Sequence, residues 1–191
     1  MKRILGVLIL STITSFLPAY AQEGLQVGKY YQGGVIYWLD PDRSYEHGLI
    51  ADISDASSSH TTSYAWDTTP PSKTKATNDE VYTGKANTQL IITAIGSTRA
   101  QAASACVNST KQGYSDWYLP SKKELALMFD TQAITKTAKA HGGAAFNNSP
   151  YWSSTQYFVN SAWNVTRSGG TYAASTYKKN ILLSVRCIRA F

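Results

Sequence analysis

Cationic and aromatic side chains are concentrated in the C-terminal half of the chain. Residues 111–191 hold ten Lys or Arg residues against three Asp or Glu, whereas residues 22–110 hold six basic and nine acidic residues. Arg pairs with a sulfate or carboxylate group through two hydrogen bonds, and Lys attracts such a group as a point charge. Tyr and Trp offer flat apolar rings with a polar edge. This combination suits the binding of an anionic polysaccharide.

The candidate ligand contacts form two groups. The cations that could contact sulfate or carboxylate groups are Lys122, Lys123, Arg167, Lys178, Lys179, Arg186 and Arg189. The aromatic side chains that could stack on a sugar ring are Tyr151, Trp152, Tyr157, Trp163, Tyr172 and Tyr177. Two simpler interpretations stay open. The tryptophans could pack in the core, and the basic residues could form a solvated face without a partner.

The acidic and histidine residues show no spacing typical of an enzyme. The aspartates available to a hydrolase are Asp40, Asp42, Asp52, Asp55, Asp67 and Asp116, and no motif links any two of them. Ser121 and Glu124 have the spacing of a helix capping box, which accounts for Glu124 without catalysis. We expect no cofactor, no metal and no nucleic-acid partner. A hydrolase stays a weaker alternative.

The first 21 residues have the pattern of a secretory signal peptide. Lys2 and Arg3 precede an apolar stretch from 4 to 17, and Ala19-Tyr20-Ala21 provides a cleavage pattern of small residues. The stretch is shorter than the roughly 20 residues that span a bilayer, and no second long apolar run follows. An uncleaved membrane anchor is the alternative. Cleavage after Ala21 leaves a single domain, residues 22–191, and lowers the formal charge from +6 to +4.

Cys106 and Cys187 are the two cysteines of the sequence. Because an exported protein meets an oxidising environment, we predict one structural disulfide between them. It would close a loop of roughly 80 residues and contribute a few kcal/mol to stability. Two cysteines without suitably spaced histidines do not make a closed zinc site.

The periodicity of apolar residues predicts an α+β domain. Strands are expected at 35–39, 48–53, 151–155, 162–166 and 182–188, with a tight turn at 168–171. Helices are expected at 87–95, around 102–107 with a cap at Ser97 or Thr98, and from Ser121 to about Thr131. Residues 54–85 are rich in Ser, Thr, Asp and Pro and predict a long loop anchored by Tyr64 and Trp66.

Four motifs, in order along the chain, resemble one known family. They are Tyr31-Gln32-Gly33-Gly34-Val35-Ile36-Tyr37 with Gly48-Leu49-Ile50; Gly113-Tyr114-Ser115-Asp116-Trp117 with Leu119-Pro120-Ser121 and Glu124-Leu125; Tyr151-Trp152-Ser153-Ser154-Thr155 with Ala162-Trp163; and Val185-Arg186 with Arg189-Ala190-Phe191. Together they resemble the C-terminal domain of the Legionella collagen-like adhesin. The resemblance implies a C-type-lectin-like fold, in which a small twisted antiparallel sheet is flanked by two helical regions. It further implies binding to sulfated glycosaminoglycans, while the calcium-site triplets of true C-type lectins do not occur here.

The sequence therefore predicts an exported, non-enzymatic binding module. We expect it in the periplasm, at the cell surface or in the medium, bound to a sulfated or acidic glycan of glycosaminoglycan type. The alternative is a protein–protein interaction domain whose partner is an envelope or host surface protein.

Overall fold

The computed structural model describes residues 24–57, 63–130, 133–168 and 171–191 of the 191-residue chain. The segment expected to be a signal peptide lies outside the described residues. The described part contains nine β-strands in antiparallel sheets, four α-helices and one disulfide. The prediction of an α+β domain with one disulfide is therefore confirmed.

The strands form three separate sheets. The first has the order β1-β2-β3-β9 and consists of β1 (Tyr30–Tyr31), β2 (Gly34–Leu39), β3 (Gly48–Asp52) and β9 (Ile188–Ala190). The second pairs β4 (Tyr64–Ala65) with β8 (Leu182–Leu183). The third has the order β5-β6-β7 and consists of β5 (Tyr151–Phe158), β6 (Ser161–Ser168) and β7 (Thr171–Lys178). The strands expected at 35–39, 48–53, 151–155 and 162–166 are all present.

Two strands differ from the sequence prediction. Strand β7 was not predicted, because its small and polar residues do not alternate with apolar ones. The strand expected at 182–188 is interrupted between β8 and β9. Between these two strands the backbone carbonyl groups accept hydrogen bonds from three other segments of the chain. Ser184 O accepts from Trp152 N, Val185 O from Ala56 N, and Cys187 O from Asp52 N.

The helices are α1 (Gly84–Ile95), α2 (Gln101–Val107), α3 (Lys122–Asp130) and α4 (Ala133–Ala140), of which α4 was not predicted. Helix α1 ends at Gly96, as expected. Helix α2 begins later than expected and without a side-chain cap; Ser104 Oγ instead donates to Ser97 O. The capping box of α3 is confirmed, since Ser121 N donates to Glu124 Oε2 (2.7 Å) and Glu124 N donates to Ser121 Oγ (3.2 Å).

The central strands of the first sheet separate two buried clusters. Ile36 and Ile50 face a cluster built around the Cys106–Cys187 disulfide, and Val35 and Leu49 face a cluster that α3 completes. Because successive strand residues point to opposite faces, β2 and β3 carry apolar side chains on both faces, and Asp52 stands at the end of β3. The described part of the segment expected to be a long loop is packed against this core through Trp66.

Candidate functional site

Lys179, one of the predicted ligand contacts, is buried. Its ammonium group donates to Ser72 O (2.7 Å), Ser72 Oγ (3.0 Å) and Gln156 Oε1 (3.0 Å), and it lies 4.4 Å from the centroid of the Trp66 ring. Burial lowers its pKa to about 8. Lys179 therefore belongs to the core, because β7 ends at Lys178 and the next side chain turns inward onto Trp66.

Both arginines of the terminal segment are also structural. Arg186 Nε donates to Asp55 Oδ1 (2.7 Å), and its guanidinium lies 4.4 Å from the Phe146 ring. Arg189 forms two hydrogen bonds with Asp116, at 2.7 and 2.9 Å, and lies over Tyr114. Each guanidinium already pairs with a carboxylate, which takes the place of a sulfate group of a ligand. Neither is placed to contact a ligand.

Two of the predicted stacking residues lie in the core as well. Trp152 is fully buried and its Nε1 donates to Tyr64 O (2.8 Å). Tyr151 is fully buried, and its hydroxyl donates to Asp55 Oδ2 (2.9 Å). Both side chains pack in the core, as the alternative interpretation had it for Trp152, because β5 is covered on both faces over its first six residues.

The remaining candidates gather on the third sheet. Strands β6 and β7 pair without a break from Ser161↔Lys178 to Ser168↔Thr171. Because side chains alternate between faces, Trp163 and Arg167 of β6 share a face with Tyr172 and Lys178 of β7. Tyr177, which is exposed, lies on the opposite face. Helix α3 contacts β6 and β7, and its first residue, Lys122, lies beside Trp163.

Three aromatic rings form an exposed surface at one end of this face, which we call the aromatic platform: Tyr157, Phe158 and Trp163. The register of β5 with β6 shifts between Gln156 and Phe158, which places an extra residue in β5. Tyr157 contacts Trp163, with 5.2 Å between ring centroids, and Phe158, with 6.4 Å. Tyr157 is 57% exposed and Phe158 is 65% exposed. The bulge thus presents adjacent aromatic side chains to solvent as one surface.

Lysines flank the aromatic platform, and two of them carry acidic partners. Lys122 Nζ lies 4.8 Å from the Trp163 ring centroid and forms an ion pair with Asp79. Lys123 Nζ forms an ion pair with Glu80 (2.6 Å), and this hydrogen bond raises the pKa of Lys123. Lys178 lies on the other side of the platform. Ser161 of β6 pairs with Phe158 of β5 and with Lys178 of β7, so these three residues form one row across the sheet.

Folding offsets the charge asymmetry of the sequence. Four ion pairs join a cation of the basic half to a carboxylate of the acidic half. They are Lys111–Asp52, Lys122–Asp79, Lys123–Glu80 and Arg186–Asp55. Within the described residues, the predicted cationic contacts that form no ion pair are Arg167, Lys178 and the buried Lys179. The C-terminal half is therefore far less basic as a surface than as a sequence.

The carboxylates are engaged in structural contacts. Asp52, Asp55, Asp67 and Asp116 each form an ion pair with a Lys or Arg. Glu124 is buried and accepts from the backbone N–H groups of Ser121 and Tyr82; burial raises its pKa to about 7. Among the described residues no group of three His, Cys, Asp or Glu side chains could hold a metal ion.

A separate cleft of about 620 Å³ lies at the first sheet. Tyr30, Tyr31 and Tyr45 line it together with Lys29 and Glu46. Tyr45 is 57% exposed, as Tyr157 is, and its backbone has a φ of 60°. This cleft is the main competing location for a ligand.

Sequence reasoning found Trp163 and Tyr157 but missed Phe158. The signal was available, because Tyr157 and Phe158 are adjacent and precede a turn at Asn160. Strict alternation in a strand with one buried face would bury one of two adjacent residues; in β5 a bulge interrupts the pairing and both residues are exposed. That interruption depends on tertiary contacts, since Gln156 N donates to Ala76 O on the other side of β5.

Comparisons with known proteins agree with this architecture. The Lcl C-terminal domain family matches residues 55–189. A fimbrial protein from Bacteroides ovatus has a similar structure, with a TM-score of 0.63 at 16% sequence identity over 86% of this chain. The match covers 48% of that protein, so this chain spans about half of its length. No curated protein matches by sequence. Within the described residues, none of the helices is long and apolar enough to cross a membrane.

Proposed function

This chain belongs to the Lcl C-terminal domain family, and we propose that it is an exported, non-enzymatic binding module that recognises acidic glycans at a surface. The aromatic platform is the proposed binding site. The single observation that carries the proposal is the exposure of Tyr157 and Phe158 beside Trp163 on a hairpin held by the core. Contiguous exposed apolar side chains mark interaction sites on protein surfaces, whereas single exposed rings do not.

The shape of the platform suits a sugar ring. Its aromatic faces provide apolar contact without long flexible side chains, so little conformational entropy is lost on binding. The ammonium group of Lys122 lies at its border and Lys178 lies in the adjoining cross-strand row, where both can pair with a carboxylate or sulfate substituent. Stacking therefore provides the contact area, and the lysines select acidic glycans.

The small net charge near the platform favours a glycan with few negative charges over a densely charged one. Three lysines, Lys122, Lys123 and Lys178, are accompanied by Asp79 and Glu80, which leaves one net positive charge. A densely sulfated chain gains little from such a site, and the two carboxylates repel it. We propose a glycosaminoglycan-like chain in which uronic acid or isolated sulfate groups alternate with neutral sugars.

Three features support export and a non-enzymatic role. The N-terminal pattern is that of a signal peptide, a disulfide joins Cys106 to Cys187, and the structural neighbour is a fimbrial protein. Four of the six aspartates available to a hydrolase, Asp52, Asp55, Asp67 and Asp116, are engaged in ion pairs. The C-type-lectin-like class implied by the family resemblance stays a prediction, which the antiparallel sheets, the helices and the disulfide support.

The binding site is tested with immobilised hyaluronan, chondroitin sulfate and heparin at physiological ionic strength. The exported protein is compared with a Tyr157→Ala/Phe158→Ala variant and with Tyr45→Ala, which removes an equally exposed ring from the competing cleft. We expect the double variant to lose at least tenfold in affinity and Tyr45→Ala to keep it. Loss of binding in Tyr45→Ala alone would place the ligand in the cleft and contradict the proposal.

A protein partner is the second candidate, and one observation favours it. Leu182 is 61% exposed although it lies in strand β8. Binding to host cells is measured before and after enzymatic removal of surface glycosaminoglycans. Binding that survives the digestion and is lost in Leu182→Ser would indicate a protein partner, whereas loss on digestion supports the glycan.

A further inference from the structure

The three sheets differ in how their outer edges are covered. Strands β1 and β9 are edges of two and three residues. The outer edge of β5 is occupied by backbone from elsewhere: Trp152 N donates to Ser184 O, Ser154 N to Pro120 O, and Gln156 N to Ala76 O. Strand β7 is eight residues long and, among the described residues, no backbone group outside β6 bonds to residues 172–177.

The β7 edge also lacks the features that prevent an exposed strand from pairing with another chain. Natural edge strands are protected by prolines, bulges, charges or short length. Residues 171–177 contain no proline and no charge, and their pairing with β6 has no bulge. Residues 172–175 and 177 are all exposed. An uncovered edge of this length and composition favours the addition of another strand.

We propose that β7 pairs antiparallel with β7 of a second copy of this chain, with Ser175 on the two-fold axis. In this register Tyr172 lies opposite Lys178 of the second copy, Ala173 opposite Tyr177, and Ala174 opposite Thr176. Each pair occurs twice, as a two-fold interface requires. The two three-stranded sheets become one sheet of six strands.

Complementarity of the strand with itself identifies the second copy as the occupant. The single charge of β7, Lys178, meets a tyrosine ring and not another cation, which allows a cation–π contact. The large Tyr177 meets the small Ala173, and no like charges oppose each other. The exposed alanines let the two backbones approach to the strand spacing of about 4.8 Å.

The dimer would place two glycan sites in one assembly. This point alone rests on the proposed function. The two-fold axis is perpendicular to the sheet, so the same face of each copy lies on the same side of the six-stranded sheet. Both aromatic platforms are therefore on one side of the dimer. The two β5 strands are five strand spacings apart, and each platform lies in the row of Lys178, three residues from the axis, so the platforms are about 31 Å apart. One glycan chain can then contact both sites, which raises the avidity.

The pairing is tested by cysteine cross-linking in the absence of glycan. Both native cysteines are in the disulfide, so an introduced cysteine is the one free thiol of the described chain. Ser175→Cys places two thiols across the axis at a Cα separation of about 4.5–5.5 Å, within disulfide range. Ala173→Cys is the matched control. In the proposed register residue 173 lies opposite Tyr177, so the two introduced thiols are four residues apart along the strands and too far apart to cross-link. We expect a covalent dimer from Ser175→Cys and at least tenfold less from Ala173→Cys.

Charge variants test the same axis without cross-linking. Ser175→Glu or Ser175→Lys opposes like charges, and we expect either to weaken the dimer at least tenfold in sedimentation equilibrium. An equimolar mixture of the two opposes unlike charges and should restore association. A wild-type protein that is monomeric at 100 μM would overturn the proposal, as would equal cross-linking of Ala173→Cys. Because no glycan is present, either result leaves the proposed glycan site unaffected.

Discussion

The ring of Tyr157 meets the indole of Trp163 edge-on, with 5.2 Å between centroids and 74° between the ring planes. An edge-to-face pair of this kind fixes both rings relative to each other. The bulge in β5 and the neighbouring Phe158 complete an exposed surface whose geometry is set before any ligand arrives. A preformed surface loses little entropy on binding.

The ring of Tyr157, and not its hydroxyl, should determine affinity. We expect Tyr157→Phe to bind chondroitin sulfate within twofold of the wild type, because the edge-to-face contact is kept. Tyr157→Ser should weaken binding roughly two- to twelvefold, as expected for the loss of about 0.5–1.5 kcal/mol of aromatic contact. Isothermal titration calorimetry measures both. Equal losses in the two variants would indicate recognition through the hydroxyl.

Removing the acidic partners of the lysines should strengthen binding to heparin. Asp79→Asn/Glu80→Gln leaves Lys122 and Lys123 without ion pairs and raises the local positive charge by two. We expect a severalfold gain in heparin affinity at low salt, which falls as salt screens the charges. The control, Asp42→Asn/Glu46→Gln, makes the same charge change in the β2–β3 connection. A similar gain in both variants would mean that net charge alone attracts heparin.

Arg186 should act through stability and not through binding. Arg186→Met leaves the buried carboxylate of Asp55 without its cation, and we expect a loss of about 3–5 kcal/mol in the free energy of unfolding. Lys178→Met, at an exposed position, should change stability by less than about 0.5 kcal/mol. Urea denaturation compares the two. A stable Arg186→Met protein with reduced glycan binding would return Arg186 to the ligand contacts.

Stability should decrease as the pH rises towards neutrality. Burial raises the pKa of Glu124 to about 7, so the folded protein holds this proton more tightly than the unfolded chain does. The resulting stabilisation is complete below about pH 4.5 and is lost as the pH rises to about 7. It amounts to roughly 3 kcal/mol. Burial raises the pKa of Asp52 as well, which acts in the same direction.

Glu124→Gln isolates this contribution, because its side chain stays neutral. Urea midpoints of the wild type and the variant, measured from pH 4.5 to 8, should converge at low pH and separate as the pH rises. The expected difference is a flatter curve for Glu124→Gln. Parallel curves for the two proteins would show that Glu124 does not titrate in this range.

Local signals predicted much of the fold. The capping box of Ser121 and Glu124 and the stop at Gly96 involve neighbouring residues, so the sequence alone indicates them. The Cys106–Cys187 disulfide followed from the count of two cysteines in an exported chain. Strand β7 escaped detection because an edge exposed on both faces has no apolar alternation.

The candidate site was harder to predict, because it depends on which cations the fold pairs. Lys178 and Lys179 are adjacent in sequence, yet one is exposed and the other is buried against Trp66 and Ser72. The partners of Lys122 and Lys123 lie more than 40 residues away, at Asp79 and Glu80. The amino-acid composition gives the number of charges in each half of the chain, but it cannot show which of them form ion pairs in the fold.

The indole N–H resonances of the five tryptophans provide the most direct test of the aromatic platform. The protein is titrated with chondroitin sulfate hexasaccharide and followed by two-dimensional NMR. The resonance of Trp163 should shift in a saturable manner, while those of Trp66, Trp117 and Trp152, which are buried, should stay in place. Saturable binding of the hexasaccharide with an unmoved Trp163 resonance would contradict the assignment of the platform as the glycan site.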